Sequence, residues 1–510
     1  MYSVRFNIVV AMPCMVEEPP DYKVPPSHQV NCSPRIPPVE TNTSSGGKRQ
    51  QMVSSGRRNW DPSVQAAVTG SFFWSYWITQ VPGALLSTRY GGKKVFGWST
   101  FACGLTTLLI PLAATVHYLV LIAMRLLLGL FQGVMWPAMF VIWSRWAPPM
   151  ERQKLLTLSF SGTTFGIVFT YPTVEMLCNV DDHGWTYGFY LSGAATMMWC
   201  LLWKYHVYDT PGRHPRISKL EKFYILYSLK DVMPRGRRSE PPWKNILTSP
   251  AVWSFIFSHA TFTLSFYVLM VYVKAYLSDV HYFSKSQATV TVIFLYIGYY
   301  LFGNISAAAY DAAIFRNLCS VSFARKVGNS VGFLVPSLLL IMLSFMDCKQ
   351  SFLAVVTLMA INTMTSVQWG AGFFVSPAEF APQHAGVIFG ISNVFATWSG
   401  TVSLIVTKEL TANRFRSGWQ INFLLISCLF VIAGVMFIIV GTGEIEEWAK
   451  PSSIADRDKR NLSAPVEPLK NESQDLRHIG SNIFRYQFGN KPIKLADRPS
   501  RTSSNSGSWV

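Results

Sequence analysis

Arg125-Leu-Leu-Leu-Gly129-Leu-Phe-Gln132-Gly133-Val-Met-Trp-Pro137 sets an arginine, two glycines and a proline four residues apart inside an apolar stretch of membrane-spanning length. A guanidinium is not deprotonated in proteins, so this segment carries a permanent positive charge within lipid thickness. Such a charge costs roughly 2.5–3.5 kcal/mol on insertion scales, and more by simulation. Residues four apart on a helix lie one turn above each other, so the four share one slowly rotating stripe. Glycines on that stripe let a second helix approach closely. The arginine therefore faces a protein-lined cavity, where an anion is its natural partner. The alternative is that Arg125 pairs with a backbone carbonyl or a carboxylate and holds helices together.

Composition agrees with a membrane setting. The chain has 510 residues, half of them hydrophobic and only 14% charged, with 17 Trp and 35 Phe, which marks an all-α polytopic membrane protein. The net charge of +17 does not imply nucleic acid, because the basic residues sit largely in connecting segments and the tail. The eight cysteines show no CxxC or Cys/His spacing, and most fall inside apolar spans. They read as small hydrophobes, with no metal site and no evident disulfide framework. No nucleophile–base pairing or phosphate loop rises above chance, so neither an enzyme nor a cofactor is expected.

Apolar blocks of span length occupy 63–87, 95–116, 118–143, 155–178 and 186–208, then 250–275, 288–310, 328–346, 352–375, 387–408 and 419–441. Each is long enough, or nearly so, to cross the roughly 30 Å hydrocarbon core as a helix. That is five plus six, divided by a polar interval at 209–248. The apolar run from Arg5 to Val16 is too short to cross alone, and by itself passes for a weak signal peptide.

Arg89, Lys93 and Lys94, then Arg145, Arg152 and Lys154, then the lysines and arginines of 209–248 mark one side of the membrane. The loops near 117 and 179–185 carry no Lys or Arg. The basic set is expected to be cytoplasmic, together with the C-terminus. Residues 17–61 then face the exterior or a lumen, where Asn42-Thr-Ser44 is a glycosylation sequon and Asn31-Cys-Ser33 a poorer one. The polar, Ser-rich stretch 442–510 is expected to be a disordered tail.

The loop Ala84-Leu-Leu-Ser-Thr88-Arg89-Tyr90-Gly91-Gly92-Lys93-Lys94 resembles the loop between the second and third helices of the major facilitator superfamily. Gly91 and Gly92 permit a tight turn, and the basic residues are placed to lock one conformation against helix ends or acids. Thr88 stands where that loop usually has an acid, which weakens the latch. Asp311 and Arg316, after the second span of the second half, are a faint echo of the same loop. Longer strings narrow the resemblance: Gly70-Ser-Phe-Phe-Trp74 through Gln80-Val-Pro82-Gly83, Trp136-Pro-Ala-Met139, and above all Trp143-Ser-Arg145-Trp146-Ala-Pro-Pro149-Met-Glu151-Arg152. Asp209-Thr-Pro211, Ala381-Pro382 with Ala385-Gly386, and Gly390-Ile-Ser-Asn393 continue it. Over roughly residues 1–450 the chain resembles solute carrier family 17, which contains sialin, the vesicular glutamate transporters and the type I sodium/phosphate cotransporters.

The resemblance implies two six-helix bundles that rock around a central site and move small organic or inorganic anions, with a proton, sodium or the membrane potential as driving force. It identifies 1–16 as the remainder of a first helix truncated at its N-terminus, 62–208 as the rest of the first bundle and 249–441 as the second. In that helix Arg5, followed two residues later by Asn7, joins Arg125 as a candidate anion ligand; the alternative for Arg5 is a topogenic charge. Two guanidiniums on one cavity repel unless an anion lies between them. Tyr76 is the aromatic most suited to stack on an organic substrate.

Departures from the family pattern bear on coupling. Gln132 stands where proton-coupled members have a glutamate, and Leu128 where sialin-like members have an acid. Glutamine can hydrogen-bond a substrate but cannot carry a proton. Thr69, Phe262 and Ser376-Pro377-Ala-Glu379 replace further family residues, which disfavours vesicular glutamate transport. Glu175 and His259 are the remaining candidates for proton coupling. Gly162-x-x-x-Gly166 permits close packing in the fifth span, which lacks the antiporter Gly-Pro run and so leans to symport or uniport. The expected protein is a multi-pass anion transporter and glycoprotein of the plasma membrane or a lysosomal or vesicular membrane. A non-transporting receptor or scaffold is the alternative.

Overall fold

The computed structural model describes residues 1–16, 58–230, 240–412 and 416–450. They form helices joined by short connections, with one isolated β-bridge between Val16 and Arg58. Helix is what lipid demands of such apolar sequence, because each backbone donor must find its acceptor within its own segment. Eight of the helical segments are long and apolar enough to cross a membrane by themselves.

The amino-terminal bundle consists of α1 (Tyr2–Met15), α2 (Pro62–Tyr76), α3 (Gln80–Tyr90), α4 (Gly92–Val116), α5 (Tyr118–Gly133), α6 (Met135–Trp146), α7 (Arg152–Cys178) and α8 (Gly184–His206). The connecting interval holds α9 (Lys219–Ser228) and α10 (Trp243–Thr248). The second bundle follows as α11 (Pro250–His281), α12 (Lys285–Phe315), α13 (Val321–Ser344), α14 (Ser351–Thr365), α15 (Val367–Gly370), α16 (Ser376–Phe380), α17 (Ala385–Thr411) and α18 (Arg416–Val440). The pairs α2/α3 and α5/α6 each make one crossing, as does α14 with α15 and α16, so each bundle has six crossing segments. The bundles meet where α7 packs on α12 and where α17 packs on α3 and α6. One hydrophobic core runs through both.

The glycine stripe lies at a close contact between α5 and α2. A Cβ on Gly129 would lie 2.3 Å from the Phe72 carbonyl oxygen, and one on Gly133 2.4 Å from that of Tyr76, so only glycine lets α5 press against α2. At that contact the Ser75 and Thr79 hydroxyls donate to the Leu126 and Leu130 carbonyls at 2.6 and 2.7 Å. Pro137 sits in the first turn of α6, where its missing N–H leaves no helical bond unmade. A Cβ on Gly166 would lie 3.2 Å from Tyr2 Cβ of α1, whereas one on Gly162 would meet nothing within 4 Å.

Three expectations need correction. The block 352–375 is not one helix: it breaks after Thr365 and again after Gly370. The broken backbone is buried in protein, where Arg325 donates to the Ala371 and Gly372 carbonyls at 3.1 and 2.9 Å and Gln153 to that of Trp369 at 2.9 Å. Side chains thus replace the lost helical partners, the condition under which membrane-depth backbone can leave the helix. Residues 442–450, expected to open a disordered tail, instead lie against the bundle. Glu446 N–H donates to the Phe380 carbonyl at 2.9 Å and Gly443 N–H to the Ser322 hydroxyl at 3.0 Å. Residues 451–510 and Asn42 lie outside the described residues.

The third correction concerns cysteine. Cys14, at the end of α1, is bonded to Cys178, at the end of α7, across 164 residues of chain. No spacing rule could announce it, because only the packing of α1 on α7 brings the two Cα atoms to 6.0 Å. α1 has 14 residues and so is about 21 Å long at 1.5 Å per residue, which makes this staple a large part of its anchorage. Replacing both cysteines by serine is expected to cost about 2–4 kcal/mol. Thermal unfolding in detergent under non-reducing conditions should show a lower midpoint for Cys14→Ser/Cys178→Ser than for wild type.

Candidate functional site

Arg5, on α1, is 2% exposed, and no carboxylate among the described residues lies within 4.0 Å of it. Aromatic rings take the place of a counter-ion. Its guanidinium carbon lies 4.7 Å from the ring centres of Phe72 and Tyr76 and 4.8 Å from Phe73, with Tyr2, Phe6 and Tyr267 at 5.4–5.5 Å. A desolvated cation over a ring gains roughly 0.5–2 kcal/mol. The three nearest faces therefore match the scale of the roughly 2.5–3.5 kcal/mol insertion cost. Arg5 also donates to the Tyr267 hydroxyl of α11, a bond between the bundles. Its buried Nε has no hydrogen-bond partner.

Beside Arg5 lies a cavity of about 70 Å³ between the bundles. Eleven of its sixteen lining residues are aromatic, and none is acidic. Tyr76 lines it from α2, and its hydroxyl accepts from Asn393 Nδ2 of α17 at 3.3 Å. His259 lines it from α11, with Nδ1 2.9 Å from the Ser392 hydroxyl. Phe262 completes part of the α11 wall. A much larger cavity, about 1540 Å³, lies between the amino-terminal bundle and the connecting interval, bordered by the start of α1, by α4, α6, α7 and α8, and by α9.

The two arginines are not equivalent. Arg125 is 1% exposed but does not line the central cavity. Its Nη1 donates to the Arg5 carbonyl at 3.3 Å and its Nη2 to the Thr69 carbonyl at 3.4 Å, the carbonyl-pairing alternative set out for it. Gln132 likewise turns to backbone, donating to the Met1 carbonyl at 3.0 Å. Arg125 and Gln132 thus position α1, and α1 positions Arg5. Asn7 adds a bond to the Ser192 hydroxyl of α8 at 3.1 Å. Sequence reasoning missed the second bundle's share, namely Tyr267, Thr263 and Asn393 with rings from four segments. Asn393 alone carried a signal, as a polar side chain within an apolar span.

Contacts between the bundles close the cavity at both ends. At the end bearing the basic loops, the Lys154 N–H, at the start of α7, donates to Asp311 Oδ2 at 2.7 Å, and Arg152 donates to the Ala378 carbonyl. At the opposite end Glu175 of α7 faces Lys274 of α11 at 3.9 Å, with both side chains partly exposed. Glu175 therefore sits at a rim, not in the cavity.

The loop at 88–94 finds its acid elsewhere. Gly91, with φ of +100°, turns the chain so that the Lys93 N–H donates to Asp209 Oδ1 at 2.8 Å. Lys93 Nζ donates to the Lys204 carbonyl at 3.0 Å, and the Thr88 hydroxyl donates to the Ala84 carbonyl one turn back in its own helix at 2.9 Å. Arg89 lies beside Tyr90, and Lys94 is exposed. Glu379, in the string that departs from the family pattern, forms a buried bidentate pair with Arg325 at 2.6 and 2.7 Å.

Comparison with known proteins agrees with this architecture. The model of the Major Facilitator Superfamily matches residues 1–404. Sialin from Ovis aries is 32% identical over 449 residues, covering 88% of each chain, and sialin from Homo sapiens gives the same figures. Vesicular glutamate transporter 2.2 from Danio rerio is 31% identical, covering 84% of this chain and 73% of its own. The proton:xylose symporter XylE, solved with 6-bromo-6-deoxy-D-glucose bound, superposes with a TM-score of 0.61 at 14% identity, covering 75% of this chain and 88% of XylE. The chain belongs to the major facilitator superfamily and, within it, to solute carrier family 17, the family of sialin and the vesicular glutamate transporters. It is an integral multi-pass membrane protein of a transporter family.

The two acidic pairs should differ sharply when broken. Glu379→Ala strands a fully buried Arg325 and is expected to cost about 3–5 kcal/mol. Glu175→Ala breaks a partly exposed pair and should cost under about 1 kcal/mol. Thermal unfolding of the two variants side by side measures the contrast.

Proposed function

We propose that this protein is a secondary transporter of small anions that works by alternating access, with Arg5 as the anion ligand. One observation carries the reading: a buried, permanently charged guanidinium, without a carboxylate partner among the described residues, borders a cavity closed between two bundles. An anion there answers the charge that the rings only moderate. Tyr76 and Asn393 supply neutral donors on either side of the bundle interface. Arg125 and Gln132 act through α1, holding Arg5 in register. The Lys154–Asp311 and Glu175–Lys274 contacts are the two gates that exchange as the bundles rock.

The basic end is cytoplasmic, and with it the C-terminus. The Cys14–Cys178 bond at the other end supports this, because disulfides persist on the exterior or luminal side. Cys348, in the loop after α13 at that same end, is also disulfide-bonded. The membrane is the plasma membrane or that of a lysosome or vesicle, and residues 17–61 with Asn42 face outward or into the lumen.

The driving force is the membrane potential. Among the described residues no acid lines the cavity, and Gln132 holds the position from which a carboxylate would take a proton. His259 is the one titratable imidazole on the cavity wall and is the group through which a proton could enter the cycle.

Uptake into proteoliposomes tests these assignments with a panel of labelled organic anions and phosphate. Arg5→Ala is expected to lower kcat/KM at least a hundredfold, Arg5→Lys less, and Arg125→Ala to reduce activity together with stability. Anion uptake by none of the panel from folded protein under any gradient defeats the transport reading. For the driving force, a potential of 100 mV supplies about 2.3 kcal/mol per charge, so a monovalent anion should accumulate about fiftyfold. Accumulation that follows voltage and survives His259→Gln is the expected result, while accumulation set by an imposed pH gradient contradicts it.

A further inference from the structure

We infer that the substrate is a compact monoanion carrying one aromatic ring, a ring monocarboxylate, held with its carboxylate on Arg5 and its ring among the rings of the second bundle. The inference rests on the anion-transport reading and narrows it. Charge is the first constraint. Among the described residues lining the cavity Arg5 is the only Lys or Arg, because Arg125 does not reach the lining and donates to the Arg5 and Thr69 carbonyls. One guanidinium with a buried, unpartnered Nε suits one carboxylate. A phosphate monoester or dicarboxylate would bring a second charge with nothing to meet it.

The missing acid is the second constraint. An amino acid bound by its carboxylate would leave its ammonium in a cavity whose lining contains no Asp or Glu. Sparse polarity is the third. Away from Arg5 the non-aromatic lining is Thr163, Thr263, His259 and Asn393, and the last two already bond to Ser392 and Tyr76. A polyhydroxylated sugar acid would bury hydroxyls without partners. The walls instead offer π faces: Phe262 and Phe266 stack 5.8 Å apart on α11, Tyr299 and Trp369 stack 5.5 Å apart beside them, and Phe266 lies 6.0 Å from Tyr299, so the four rings form one continuous aromatic wall. Such surfaces favour a flat ring in offset or edge-on contact. Size is the fourth, since about 70 Å³ in the closed state is under half of the roughly 150 Å³ that holds one benzene, so the walls must part even for one ring and a nucleotide is excluded.

The full-length protein in proteoliposomes, under an imposed potential, is given labelled benzoate, cyclohexanecarboxylate, glutamate, sialic acid and phosphate. The expected result is saturable benzoate uptake with kcat/KM at least tenfold above every other anion. Phe266→Ala should then raise the KM for benzoate several-fold while changing that for cyclohexanecarboxylate less. Preference for phosphate, glutamate or sialic acid overturns the ring monocarboxylate and leaves anion transport standing. Equal use of benzoate and cyclohexanecarboxylate overturns the aromatic requirement. In parallel, benzoate is titrated against thermal unfolding of the purified protein. Stabilisation without uptake keeps the ligand class and defeats transport, and neither stabilisation nor uptake overturns both.

Discussion

A guanidinium that cannot lose its proton, buried at the junction of two helix bundles, is the constraint around which this molecule is arranged. Arg5 is solvated by ring faces and one tyrosine hydroxyl, not by a carboxylate. That choice matters for function. A carboxylate within contact would neutralise the charge in the ground state and leave an incoming anion to displace it. Rings lower the cost of burial but keep the positive potential, so the site stays attractive to an anion. The short helix that carries Arg5 is correspondingly well tied. Arg125 and Gln132 hold its carbonyls, Asn7 reaches α8, and Cys14 is bonded to α7.

Closure at both ends uses interactions of modest strength. The Lys154–Asp311 contact is a carboxylate at a helix N-terminus, and the Glu175–Lys274 pair is partly exposed. Neither resembles the buried Arg325–Glu379 pair, which lies within one bundle and is expensive to separate. The buried ion pair therefore rigidifies one bundle, while the ion pair between the bundles is partly exposed and their remaining charged contacts are single hydrogen bonds to neutral groups or a backbone N–H. A rocking mechanism requires that distribution, since only the weaker set has to break and re-form in each cycle.

Legibility in the sequence followed the range of the interactions. Span-length apolar runs, the Arg125–Pro137 stripe and the Trp143–Arg152 string are local, and each led to the right architecture: a two-bundle fold with glycines at the α2–α5 contact. The departures at Gln132 and Glu379 were visible as residues, but their partners were not. Gln132 meets the Met1 carbonyl 131 positions away, and Glu379 meets Arg325 in a neighbouring segment. The break after Thr365 was hidden because its freed carbonyls are satisfied by side chains from other helices, which hydropathy does not register.

The sequence by itself determined that the chain lives in a membrane, that it carries fixed positive charge there, and to which transporter family it belongs. Those properties depend on composition, periodicity and contiguous strings. Tertiary packing settled which arginine faces the cavity. Helical periodicity places Arg5 and Arg125 alike on inward faces, but only the approach of α1 to α2 and α5 gives Arg125 two backbone carbonyls and leaves Arg5 to the rings. It also formed the Cys14–Cys178 bond and assembled the cavity wall from α11, α12, α15 and α17, because residues more than two hundred positions apart become neighbours only when the two bundles close on each other.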